Sequence, residues 1–238
     1  MDIEDFKKLY ILKELQIEPE KYGKIFTLLD YGNISHWFDE DRRDVSGKAL
    51  AVDEYLSVDI LNLVNFADVF SSKIVFYYGL DCRNKSSIHI LRLARDAYAK
   101  VCSKNIQWIK HYLKLEDREK PSRAIRNDAK GSFVLIPKCN FDVEITMDAL
   151  EHVKDYDTLC LFSSDNDFSA LLKLLKGKGK KAILFHDNRT RKELKDVADL
   201  EINSQLIKKH IFLLKKTQRA ISGEGLDIGP ESTGRATP

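Results

Sequence analysis

Cysteine is sparse in this chain. Cys82, Cys102, Cys139 and Cys160 are the four among 238 residues, and no two stand as C-x-x-C, which argues against a zinc knuckle and a dithiol redox motif. Cys160 lies inside an apolar run and reads as a buried thiol. Long hydrophobic runs are missing too. No stretch approaches the ~18 consecutive apolar residues of a membrane helix, and the opening residues, with Asp2, Glu4 and Asp5, do not make a secretory signal. A cytoplasmic, reducing setting without membrane attachment is the expectation.

Neither charge is in excess. The 39 Lys and Arg face 37 Asp and Glu for a formal net charge of +2, so a polyanion has to be held by a local patch, not by a global field. The six histidines form no H-x-x-x-H pair, which disfavours a zinc hydrolase. No G-x-S-x-G elbow surrounds Ser163 or Ser164, and no G-x-x-x-x-G-K-[ST] loop exists, so neither a Ser-His-Asp hydrolase nor a P-loop enzyme is indicated.

The chain does have 43% hydrophobic residues, enough for one good-sized core, laid out as short apolar runs between amphipathic stretches. Residues 24–29 run almost unbroken to Asp30, and residues 73–78, 157–162 and 181–185 have the same character; each reads as a strand buried on both faces. Residues 106–115 read as a further strand, and Phe133 to Ile136 as a brief apolar piece. Helices are expected over 58–70, 87–102, 142–154, 168–175 and 204–216, the fourth stopped by Gly177 and Gly179 among lysines. Residues 1–22 are loosely helical, an extension that could pack on the domain edge or serve a protein partner or a second copy. Residues 39–48 read as a polar loop and 116–132, with Pro121 and Gly131, as a charged mobile one. A main domain over 23–216 and a disordered tail over 217–238 complete the expected organisation. Such alternation implies an α/β fold with a parallel sheet covered on both faces, whose ligands sit beyond the carboxyl ends of the strands.

Asp30 and Asp165 each follow a buried strand. If those strands are neighbours, their axes lie ~4.8 Å apart, and two carboxylates that close repel unless a proton or a cation intervenes. Mg²⁺ or Mn²⁺ with oxygen ligands would relieve the repulsion, orient a water and stabilise charge growing on a phosphodiester oxygen. The plainer reading of Asp165, Asp167 and Asp142 is that of turn and cap residues. The helix after Asp142 has Val143, Met147 and Leu150 as its apolar side, and Glu144, Asp148, Glu151 and Asp155 as an acidic face. Asn33 is either a turn residue or a partner of Asp30 or a phosphate.

Three stretches in order, residues 26–34 ("FTLLDYGNI"), 138–150 ("KCNFDVEITMDAL") and 156–185 with the Ser-x-Asp-x-Asp-Phe turn, resemble the NYN domains of PIN-like nucleases over roughly residues 24–215. The resemblance implies a three-layer α/β sandwich with a central, mainly parallel sheet, dependence on Mg²⁺ or Mn²⁺, and endonuclease action that is usually on RNA, with DNA left open. It carries Asp30, Asp142, Asp165 and Asp167 over as metal or water-orienting ligands, Asp148 as a further candidate ligand, and Asn33 as secondary. Lys138, Lys178, Lys180, Arg189 and Arg191, with Asn33 and Ser164, are the candidates for contact with substrate, the cations through phosphates. Tyr31 and Ser164 depart from the family pattern, and a bulky Tyr31 at the site mouth would restrict substrate size.

Two other functions stay open at this point. One is a catalytically weak RNA- or protein-binding module on the same fold. The other is a phosphatase-type enzyme with an aspartate nucleophile, disfavoured because Asp30 is followed by Tyr31 and Gly32, not by a second aspartate at the next position but one.

Overall fold

A computed structural model describes residues 3–97, 100–113 and 125–216. The central element is a six-stranded sheet built from β1 (Ile25–Asp30), β3 (Lys73–Leu80), β4 (Lys100–Asn105), β8 (Thr158–Phe162), β9 (Lys181–His186) and β10 (Leu200–Asn203), in the order β10-β9-β8-β1-β3-β4. Every pairing in it is parallel. The expected neighbours are neighbours: Leu28 of β1 lies beside Leu161 of β8 on one side and Val75 of β3 on the other.

The helices make the outer two layers. Along β1 the side chains alternate between two cores, Ile25 and Leu29 facing one and Phe26 and Leu28 the other, as the period of two of a strand requires. The first core is covered by α4 (Ile60–Asp68), α5 (Lys85–Asp96) and α9 (Ser204–Ile211), through Leu63, Val64, Ala94, Ile207 and Ile211. Its aromatic centre stacks Phe162 on Phe185 with centroids 4.1 Å apart. The second core is covered by α6 (Asp142–Glu151), α7 (Ser169–Gly177) and α8 (Lys192–Lys195), through Ile145, Ala149, Leu171, Leu172, Leu175 and Leu194. This is the three-layer α/β sandwich that the sequence implied.

The N-terminal stretch forms α1 (Ile3–Leu15) and α2 (Pro19–Tyr22), followed at once by β1. Ile3, Phe6, Leu9 and Tyr10 are exposed, whereas Leu15, Ile17 and Tyr22 are buried in the first core. Glu14 pairs with Lys209 of α9, and Thr158 donates to the Tyr22 carbonyl at 2.6 Å. A short helix, α3 (Tyr31–Ile34), follows β1 directly.

Several expected boundaries moved. The helix expected over 87–102 stops at Asp96, and 100–105 is the edge strand β4, with Cys102 beside Tyr77. An edge strand that exposes Ser103, Lys104 and Asn105 has no continuous apolar run to announce it. The helix expected from Val58 starts at Ile60, capped by Asp59, which accepts from the Asn62 backbone N–H at 2.8 Å. Before it, β2 (Glu54–Val58) pairs antiparallel with β11 (Phe212–Lys216), so the last helix ends at Ile211 instead of continuing to Lys216. At α7 the expected stop holds, with Gly179 at φ +78°.

Residues 106–115 do contain a strand, β5 (Gln107–Tyr112), but it leaves the central sheet. It pairs antiparallel with β7 (Gly131–Lys138), which also pairs with β6 (Arg126–Asp128), making a separate three-stranded arm. The apolar piece 133–136 lies inside β7. The rest of the expected strand, 114–115, the first part of the expected mobile loop, 116–124, and the tail 217–238 lie outside the described residues. The arm is anchored at Gly79, where a Cβ would come within 2.6 Å of Cys139 Cβ, so the absence of a side chain lets the β7–α6 turn close onto the end of β3.

Candidate functional site

β1 ends at Asp30 and β8 at Phe162, and the chain then turns through Ser163, Ser164 and Asp165 into a 3₁₀ turn, Asn166–Phe168. Asp30 and Asp165 therefore stand together at the carboxyl edge. Ser163, fully buried, donates to Asp30 Oδ2 at 2.9 Å and accepts the Asp165 backbone N–H at 3.2 Å. Burial pushes the Asp30 carboxyl up to about 6, against the lowering effect of its hydrogen bonds from Ser163 and the Asn33 backbone; the charges of Asp142 and Asp165 push the same way as burial.

α6 brings Asp142 to this edge from the second core. Asn140 fixes it, accepting the Asp142 backbone N–H at 2.7 Å and donating its amide to Asp142 Oδ2 at 2.7 Å. Burial again raises the carboxyl, reinforced by Asp165 and Asp167. One carboxylate oxygen from each of Asp142, Asp165 and Asp167 lies within 4.8 Å of the others. An ion with oxygen ligands at ~2.1 Å places opposite ligands ~4.2 Å apart, so the three fit a hard divalent cation with small adjustment. Asp165 also caps the 3₁₀ turn by accepting the Asp167 N–H at 3.0 Å; the turn reading and the ligand reading hold for the same residue.

A cleft of about 530 Å³ opens beside these acids, lined by Asp30, Asn33, Tyr78, Lys138, Asp142 and Asp165 among others. Lys138, at the end of the arm, is thereby placed with the acids. Asn33 is committed inward, its side-chain oxygen accepting the Ser164 N–H at 2.8 Å and the Trp37 indole N–H at 3.1 Å, so it braces the β8 turn. Ser164 accepts the Asp187 N–H at 2.9 Å. Tyr31 lines the cleft but is buried at 5% exposure, with its ring against Phe76 and Tyr78.

Other candidates fall elsewhere. Asp148 accepts from the buried Tyr77 hydroxyl at 2.6 Å and faces Lys100 at 3.6 Å, so it is held on the β3–β4 side of α6 and is outside the triad. The helix faces were misassigned in part, since Val143 and Met147 are exposed and Ile145 and Ala149 carry the packing, while Glu144 pairs with Lys104 at 2.6 Å. Lys178 and Lys180 precede β9 and lie at its amino edge, ~20 Å from the acids over six residues of strand; Lys180 donates to the Tyr156 carbonyl. Arg189 is on the carboxyl side of β9 but is taken up by Asp187 and the His36 carbonyl, and Arg191 stands at the N-terminal boundary of α8 there, making no side-chain capping bond. Ser163 and Asn140, which hold the acids in place, were not foreseen in these roles; only their nearness in sequence to Asp165 and Asp142 signalled them.

Residues 92–205 match the family model described as NYN domain, a span that contains Lys138 and the triad and begins after Asp30. The low amplitude and bright protein LabA of Synechococcus elongatus is 32% identical over 83 residues, 34% of this chain and 43% of LabA. The match thus spans less than half the length of that curated relative. Among solved structures, a Vibrio parahaemolyticus protein of unknown function superposes with a TM-score of 0.54 at 21% identity, covering 83% of this chain and 100% of that one, a likeness of fold. No helix among the described residues is long and apolar enough to cross a membrane.

Proposed function

We propose that this chain is a metal-dependent nuclease, an endoribonuclease using Mg²⁺ or Mn²⁺, a reading supported by the match of residues 92–205 to the NYN domain family. The observation that supports this most is the triad: three carboxylate oxygens, from Asp142, Asp165 and Asp167, within 4.8 Å of one another at the carboxyl edge of the sheet. All donors are carboxylate oxygens, the set that hard divalent ions select.

A bound ion there would supply charge to a developing phosphorane and an acidified water. The chain's own residues do the rest. Asn140 and the 3₁₀ turn fix the Asp142 and Asp165 carboxylates before any ion arrives. Asp30, half-buried beside them with its pKa raised to about 6, holds or releases a proton near neutral pH, as a group that accepts a proton from water must. Lys138, lining the same cleft, meets a phosphate by charge.

Incubation of the chain with labelled RNA and Mn²⁺, against the Asp165→Asn variant, tests the reading. Cleavage that needs the ion and disappears in the variant supports it; cleavage that persists unchanged in Asp165→Asn overturns it. A parallel single-stranded DNA substrate decides whether the activity is restricted to RNA.

A further inference from the structure

The arm formed by β5, β7 and β6 has its own surface. Trp108, Lys110 and Tyr112 alternate along β5 and so share a face. Trp108 is 42% and Tyr112 39% exposed. Lys110 lies 4.5 Å above the Phe133 ring and bonds Asp128 at 2.6 Å, and the Tyr112 hydroxyl donates to the same carboxylate at 3.0 Å. The sole acid among the described arm residues is thereby engaged, while Lys110, Arg126, Lys130 and Lys138 give the arm four cations. In a chain of net charge +2 this is a local positive patch. It is continuous with the cleft, because Pro137, which pairs with Trp108, and the neighbouring Lys138 line that cleft.

Resting on the nuclease reading above, we propose that this face is a track for single-stranded RNA passing into the cleft, with a base stacked on Trp108. Two features select the occupant. Exposed aromatic rings beside cations take up unpaired bases and their phosphates, which a duplex, with its bases stacked on each other, does not offer. A second copy of the chain docking by a two-fold axis would set the arm's cations against their own images, a like-charge contact that disfavours association.

The probe is a labelled oligouridylate long enough to cover cleft and arm, with binding followed by anisotropy in chelator so that no cleavage is needed. Trp108→Ala is expected to weaken binding about tenfold, the usual consequence of losing one stacked base, and Trp108→Phe to retain most of it. The other tryptophan, Trp37, is buried, so quenching of the exposed indole's emission on binding is a second signature, independent of any variant's folding. Oligouridylate that binds Trp108→Ala as tightly as wild type and leaves the emission unchanged overturns the track. So does a blunt RNA duplex that binds as tightly as the single strand with the same dependence on Trp108. Asp165→Asn separates the two ideas: undiminished cleavage in that variant sinks the nuclease reading, while Trp108-dependent binding in chelator remains measurable on its own.

Discussion

Ser163 donates its hydroxyl hydrogen to Asp30 at 2.9 Å across the β1–β8 pair, and its oxygen accepts the Asp165 N–H at 3.2 Å. One fully buried hydroxyl thus connects the two strand-end acids that the site depends on. The connection has an electrostatic consequence, because a hydrogen bond donated to a carboxylate favours its charged form.

Ser163→Ala should therefore raise the Asp30 pKa further above about 6. The acidic limb of a pH–rate profile for RNA cleavage is expected to move to higher pH, and the fold to lose ~1–3 kcal/mol through two part-buried groups left short of a partner. A profile that keeps its wild-type position would show that Asp30 is not the group titrating in that limb.

Asp30→Asn should separate stability from function. Because burial raises the folded-state pKa from the ordinary aspartate range to about 6, the folded chain keeps a proton that the unfolded chain has already released between those values. Stability then falls as pH rises through that window, by on the order of 2 kcal/mol, and the whole penalty is present above it. In chelator the variant is expected to melt several degrees higher than wild type at neutral pH and at nearly the same temperature below pH ~4, while cleavage is lost. Equal melting temperatures at neutral pH would mean that the carboxylate is stabilised in the fold by something other than its present partners.

Asp30 and Asp165 were legible because each ends a run of apolar residues, and a run buried on both faces fixes where the strand's carboxyl edge lies. The central strands were legible for the same reason. β4, β10 and the β2–β11 pair were not: Lys100–Asn105 is a half-exposed edge, and Leu200–Asn203 and Phe212–Lys216 are too short to separate from the helix residues beside them. On α6, Val143 and Met147 fit an apolar stripe as well as Ile145 and Ala149 do, and only packing against the sheet chooses between them. Asp148 sat on the helix that carries Asp142, but contact with Tyr77 depends on strand order, which local sequence does not contain.

That difference between the two acids of α6 can be measured. By isothermal titration, Asp142→Asn is expected to weaken Mn²⁺ binding at least tenfold, since it removes one of the three clustered carboxylates. Asp148→Leu is expected to leave Mn²⁺ binding unchanged and to cost ~1–3 kcal/mol in urea unfolding, because the buried Tyr77 hydroxyl loses its acceptor. If Asp148→Leu weakened the ion as much as Asp142→Asn, the site would extend along α6, contrary to this placement.

The two ends of the sheet give the last contrast. Lys138 lines the cleft beside Asp142, whereas Lys178 follows α7 at the amino edge of β9. Both are exposed lysines, and both were candidates on charge alone. A phosphate contact releases counterions, so it adds ~0.7 to the slope of log affinity against log salt for a single strand. Lys138→Ala is therefore expected to weaken RNA binding and to flatten that slope by about this amount, and Lys178→Ala to change neither. Equal losses from the two variants would place RNA on both edges of the sheet. A strand held at the acids cannot reach Lys178 without also passing around the ~20 Å of β9, so that result would mean a second contact surface on the far side of the domain.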